Sequence, residues 1–113
     1  MRSAIGIVEM FGFVTAITAA DAAAKAADVK IIAIDSNKPA NAEAEEVPLI
    51  MAIKIQGEVS AVKAAVAAAV DAADSVSGVI CSHVISGPTE DTQLIAERTS
   101  VGRDRIGHIK MNA

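Results

Sequence analysis

Twice in this chain a short apolar run leads into an alanine-rich segment that contains neither proline nor glycine, and then into a second apolar run. The first alanine-rich segment spans 14–27 and the second 58–75. Alanine is the best helix former, and with no breaker inside, each segment reads as one helix. The flanking runs are dense in valine and isoleucine, which favour strands. A repeated strand-helix-strand unit leaves few architectures open, because each helix must return the chain to the same sheet.

The first strand is expected at 4–9 and the second at 29–34. Residues 49–55 give the third strand and residues 79–85 the fourth. In the second helix Val59, Val62, Val66 and Val70 recur at offsets of three, four and four, which places them on one stripe. Lys63, Asp71 and Asp74 fall beside that stripe. Residues 36–48 change character: they hold Pro39, Pro48, Asn37, Asn41 and the acidic group Glu43, Glu45 and Glu46, and they read as a loop. Beyond residue 88 the chain is polar. A short helix over 90–98 and a short strand near 106–111 are expected there. The order strand, helix, strand, strand, helix, strand is that of an α/β (α+β) ferredoxin-like split βαβ sandwich, with a four-stranded antiparallel sheet and two main helices. One sheet face is covered by those helices and the other must find different cover. Residues 1–88 form the domain and 89–113 a C-terminal extension packing on it.

Composition narrows the function. Of 113 residues 52% are hydrophobic, yet 24 are alanine and only Phe11 and Phe13 are aromatic. Alanine buries little area, so such a core is thin and closely spaced, and association with further copies adds stability. A net charge of −4 argues against nucleic-acid binding, which needs a basic face. The RNA-recognition domain on this topology would also need aromatics on its central strands, and strands two to four carry none. No apolar run reaches the roughly 20 residues of a membrane helix. The single Cys81 excludes an intrachain disulfide and suits a reducing cytoplasm.

No nucleophile-and-base constellation, phosphate-binding glycine loop or metalloprotease signature occurs, so neither an enzyme nor a cofactor is expected. Cys81 and His83, two apart on a strand, point to one face. One cysteine and one histidine do not fill a zinc shell, so no metal is expected, Cys81 reads as a small buried hydrophobe, and His83 as structural. The three closely spaced glutamates read first as a solvated loop.

Four stretches carry a resemblance. Residues 4–9 (AIGIVE), 19–29 (AADAAAKAADV), 57–65 (GEVSAVKAA) and 83–88 (HVISGP) are similar, in order and spacing, to the shell domain of bacterial microcompartments, whose hexamers tile polyhedral enzyme compartments. The resemblance covers residues 4–88 and implies a single, non-permuted, divergent shell subunit in the cytoplasm. It implies assembly with itself as hexamers and with other shell proteins, and association with encapsulated enzymes. Choline or another glycyl-radical pathway is the preferred setting over ethanolamine or propanediol. It assigns Lys25, His83, Gly87 and Pro88 to an assembly edge, and Ser36, Asn37, Lys38, Glu43, Glu45 and Glu46 to a loop around a central pore.

Two features depart from the family. The second-to-third-strand connection is long, acidic and free of glycine, where a tight glycine-rich turn is usual. Gly87 also stands where an arginine is usual. Both imply an atypical, bent or screw-like assembly. A small-metabolite-binding regulatory domain of the same topology is the alternative, expected as a dimer with a discrete pocket.

Overall fold

The computed structural model describes residues 3–37 and 49–98. Strand β1 (Ala4–Phe11) leads through Gly12 into helix α1 (Phe13–Ala26) and then strand β2 (Val29–Asn37). Strand β3 (Ile50–Gly57), helix α2 (Val59–Asp74) and strand β4 (Val79–Ile85) repeat the pattern, and a short helix α3 (Glu90–Ala96) follows. The sheet order is β2-β3-β1-β4, antiparallel throughout. This is the split βαβ arrangement that the element order predicts.

Both main helices lie on one sheet face. Val8, Met10, Met51, Ile53 and Ile55 point into that layer and are fully buried, and Val62 and Val66 of α2 meet them. The valine stripe therefore faces the core as its spacing predicts. Ala16, Ala19 and Ala23 of α1 and Ala65, Ala69 and Ala73 of α2 complete the layer. Small side chains let the backbones approach closely, and Gly6 of β1 shows how closely. A Cβ built there would lie 2.5 Å from Val66 Cγ2 and 2.9 Å from Val62 Cγ1. The buried Thr15 hydroxyl in α1 is satisfied by Ser77 Oγ at 2.7 Å, and Ser77 in turn donates to the Phe11 carbonyl at 2.6 Å.

Both edge strands are bulged. In β2, Ile31 pairs with Ile55 and Ala33 with Lys54, leaving Ile32 as the extra residue. In β4, Cys81 pairs with Glu9 and Val79 with Met10, leaving Ile80 extra. Such insertions bend an edge strand and interrupt its outward row of backbone groups.

Glu58 refines the sequence reading. It is expected in the first turn of the second helix, but it occupies the N-cap. Its carboxylate accepts the Ser60 N–H at 3.0 Å and the Ser60 hydroxyl. Helix α3 starts where expected, with Thr89 capping the Thr92 N–H, and ends two residues earlier. The strand expected near 106–111, and His108, lie outside the described residues.

Candidate assembly interface

The antiparallel register sorts the predicted site residues between two ends of the sheet. Ala4 and Val29 both lie opposite Gly57, and Ile5 lies opposite Ile85. At this end β1 and β2 begin while β3 and β4 finish. Helix α1 runs toward it and delivers Lys25 in its last turn. Gly87 and Pro88 follow β4 at the same end. Lys25 is exposed and pairs with Asp21 one turn back at 2.7 Å. Hydrogen bonding and charge from Asp21 raise the Lys25 ammonium above its ordinary value. Gly87 is exposed, and nothing lies within 4 Å of a Cβ built on it, whereas Pro88 is buried. His83 is exposed on β4 opposite Ile7. Because neighbouring Val84 lies opposite Gly6 on the helix-covered side, His83 points to the other face. Lys25 and His83 are thus held on opposite layers of the subunit.

The second end carries the connection between β2 and β3. Asn37 pairs with Ile50, so the chain leaves and re-enters the sheet side by side. Here the sequence reading needs correction. Ser36 and Asn37 are expected in a loop, but they are the last two rungs of β2, opposite Met51 and Ile50. Backbone pairing with β3 overrides the turn preference of serine and asparagine. Lys38, Glu43, Glu45 and Glu46 lie outside the described residues. Strands of this length put the two ends roughly 25 Å apart.

A second correction concerns the sheet face away from the helices. Cys81, expected to be buried, is exposed. Its edge strand is open to solvent on that side. Its thiol donates to Glu9 Oε1 at 3.1 Å, and that hydrogen bond, with partial burial, raises the thiol above its ordinary range. A protonated thiol is a poor nucleophile and a poor metal ligand. Among the described residues no three histidine, cysteine, aspartate or glutamate side chains gather as a metal site would require.

The sequence reading missed the polar centre of this face. Lys54 on β3 pairs with Asp35 of β2 and donates to the Arg98 carbonyl at 2.9 Å, which ties the chain after α3 to the sheet. The signal was present: a lysine alternating between Ile53 and Ile55 must point away from the face they share. Near Gln56 a recess of about 460 Å³ is lined by Ser3, Gln56, Gln93 and Leu94 together with the carboxylates Glu90 and Glu97.

Comparison with known proteins identifies the family. Residues 4–88 match the BMC domain. The carboxysome shell protein CcmK2 of Thermosynechococcus vestitus is 33% identical over 97 residues, 84% of this chain and 86% of that protein. The carboxysome shell protein CsoS1C of Hydrogenovibrio crunogenus is 31% identical over 103 residues, 90% and 92% of the two chains. The bacterial microcompartment shell protein PduK of Citrobacter freundii is 33% identical over 88 residues, 78% of this chain, but this chain spans only 51% of its length. A microcompartment protein from Desulfitobacterium hafniense has the same fold, with a TM-score of 0.65 and 24% identity. The match covers 91% of this chain and 52% of that one. The BMC-domain match, the relatives' shell-protein names and the shared fold agree: the chain belongs to the BMC-domain family of bacterial microcompartment shell proteins.

Proposed function

We propose that this chain is a non-catalytic shell subunit that forms six-membered rings or turns, which join edge to edge with one another and with other shell proteins. The observation that supports this reading best is the separation of two surfaces. Lys25, Gly87 and Pro88 share one end of the sheet, and the β2–β3 connection leaves from the opposite end. A ring subunit needs such polarity, with one end toward the axis and the other toward neighbouring rings. On this reading Lys25 donates to a neighbour's backbone carbonyls while its methylene stem packs. The long connection at 38–48, with Glu43, Glu45 and Glu46, replaces the narrow glycine-lined opening with an acidic one. Gly87 supplies no donor where arginine would supply a fork of five, so the edge contact is weaker or set at another angle. The encapsulated enzymes are further partners on the same reading.

The test is native mass spectrometry and negative-stain imaging of the purified chain. Closed hexamers, flat sheets or screw-like tubes are expected. A dimer that binds a small metabolite in the recess beside Gln56 would favour the regulatory-domain alternative. A monomer across micromolar concentrations would overturn the shell reading.

A further inference from the structure

Helix α3 is short, and its two ends hold it in place. At its start the buried Pro88 leads in from β4, and Thr89 caps the Thr92 N–H. At its finish Lys54 of β3 donates to the Arg98 carbonyl at 2.9 Å. Between those anchors the helix buries only Ala96. Leu94 stays 63% exposed, and the recess of about 460 Å³ opens between α3 and the sheet. Glu90, Gln93, Leu94 and Glu97 line one wall, and their spacing of three, four and seven from Glu90 puts them on one helix face. Ser3, just before β1, and Gln56 of β3 form the other wall. Gln56 lies two residues beyond Lys54, so both project from the sheet face away from α1 and α2. The recess therefore has walls from fixed elements before any ligand arrives.

The lining selects among ligands. Its volume falls within the roughly 300–1,000 Å³ of small-molecule sites. No lining residue is basic, and the charges on the wall are the carboxylates of Glu90 and Glu97. The amides of Gln56 and Gln93 and the Ser3 hydroxyl add neutral acceptors. Leu94 and the Pro88 ring supply apolar surface. An anion is repelled here, and a neutral alcohol gains only ordinary hydrogen bonds. An adjoining recess of about 340 Å³ shares Gln56 and Glu97 and carries Lys30. The Lys30 charge bars a second cation from that side and leaves the Glu90 side as the favourable one. We propose that the recess between α3 and Gln56 binds small primary ammonium compounds with a short apolar stem. The ammonium donates to the Glu90 carboxylate and the Gln93 amide oxygen, and the stem lies along Leu94. An ammonium has three donors and no acceptor, which suits a wall of acceptors, and its bond to a carboxylate is of the stronger, charge-assisted kind. The site is built within one subunit, so it stands or falls apart from the shell reading.

The test is saturation-transfer NMR titration of the full chain with n-butylammonium, and with butyrate and 1-butanol as size-matched probes at equal ionic strength. Saturable binding of n-butylammonium is expected, with the other two weaker by about tenfold or more. Glu90→Gln should raise the n-butylammonium Kd by about tenfold. Asp91→Asn is the control: Asp91 is the other first-turn acid of α3 and does not line the recess. It removes the same charge from the same helical turn, and D91N should bind like the parent. Equal binding of butyrate or 1-butanol overturns the proposal, as does an E90Q chain that binds like the parent. Equal weakening in D91N and E90Q also overturns it, because net charge or the helix itself would then be responsible. Native mass of the same samples reads the shell proposal separately: rings that do not bind n-butylammonium overturn this inference alone, and rings that bind it leave both in place.

Discussion

The Lys25 ammonium lies 2.7 Å from the Asp21 carboxylate, one helical turn back toward the N-terminus of α1. Acid before base at this spacing is the favourable order on a helix. Both groups are well exposed, so the pair adds little to subunit stability. Its consequence lies in assembly. If Lys25 meets its counterpart across a two-fold axis, Asp21 neutralises one of two like charges. Lys25→Ala should leave the melting temperature unchanged and reduce joining between rings. Asp21→Asn should also reduce joining at low salt and recover as salt screens the repulsion. Turbidity and imaging across a salt series read both effects. Because Asp21 raises the Lys25 ammonium, its contribution is complete at neutral pH and fades only as pH rises past its ordinary 10.5 toward the raised value.

Gly6→Ala tests the close approach of β1 and α2. The added methyl meets two valine methyls, and valine is stiff about χ1. The substitution should cost about 1–3 kcal/mol by overpacking. Adding Val66→Ala should return part of that loss, as expected for residues in contact. Urea unfolding of the four chains measures the coupling, and strict additivity would contradict the geometry.

Gly87→Arg is expected to be silent in the subunit and visible in the assembly. Open space surrounds the position, and its backbone is not among the positive-φ glycines of the described residues, Gly12 and Gly78. Stability should change by less than about 0.5 kcal/mol. If the missing guanidinium limits edge contacts, the variant should form larger and flatter sheets than the parent at equal concentration. Unchanged sheet size would remove position 87 from the edge.

The Glu58 cap gives a pH signature. Hydrogen bonds from Ser60 hold the Glu58 carboxyl below its ordinary value of 4.5. A depressed folded-state value means that the stabilisation is complete above 4.5 and is lost as pH falls through the lower folded value. Glu58→Gln should therefore melt below the parent at neutral pH, and the gap should close in acid. A gap that persists unchanged in acid would assign the effect to packing.

The thiol of Cys81 should react slowly with thiolate-directed reagents despite its exposure, because Glu9 stabilises the protonated form. Glu9→Gln removes the carboxylate charge and should speed labelling at mildly alkaline pH by a few-fold, on the order expected for a partial shift in thiolate fraction.

Helices α1 and α2 and their buried faces were legible because alanine runs and the valine stripe carry their period in adjacent residues. Other features needed the strands to be paired first. Ser36 and Asn37 look like a turn until β3 is set beside them. Cys81 looks buried within VICSHVI until β4 is placed at an edge with its outer face open. The Lys54–Asp35 pair joins strands whose register no local pattern announces. Lys25 was found through resemblance, and the structure adds Asp21 beside it.

The bulges at Ile32 and Ile80 bear on how this chain survives its own crowding. Shell formation brings many identical sheets into lasting proximity, the condition under which exposed strand edges zip into fibrils. An extra residue in each outer strand breaks the straight ladder that a foreign strand would copy. Backbone-templated growth is thereby discouraged on both sides of every subunit. On the shell reading, contacts between copies then fall to side chains and not to strand pairing.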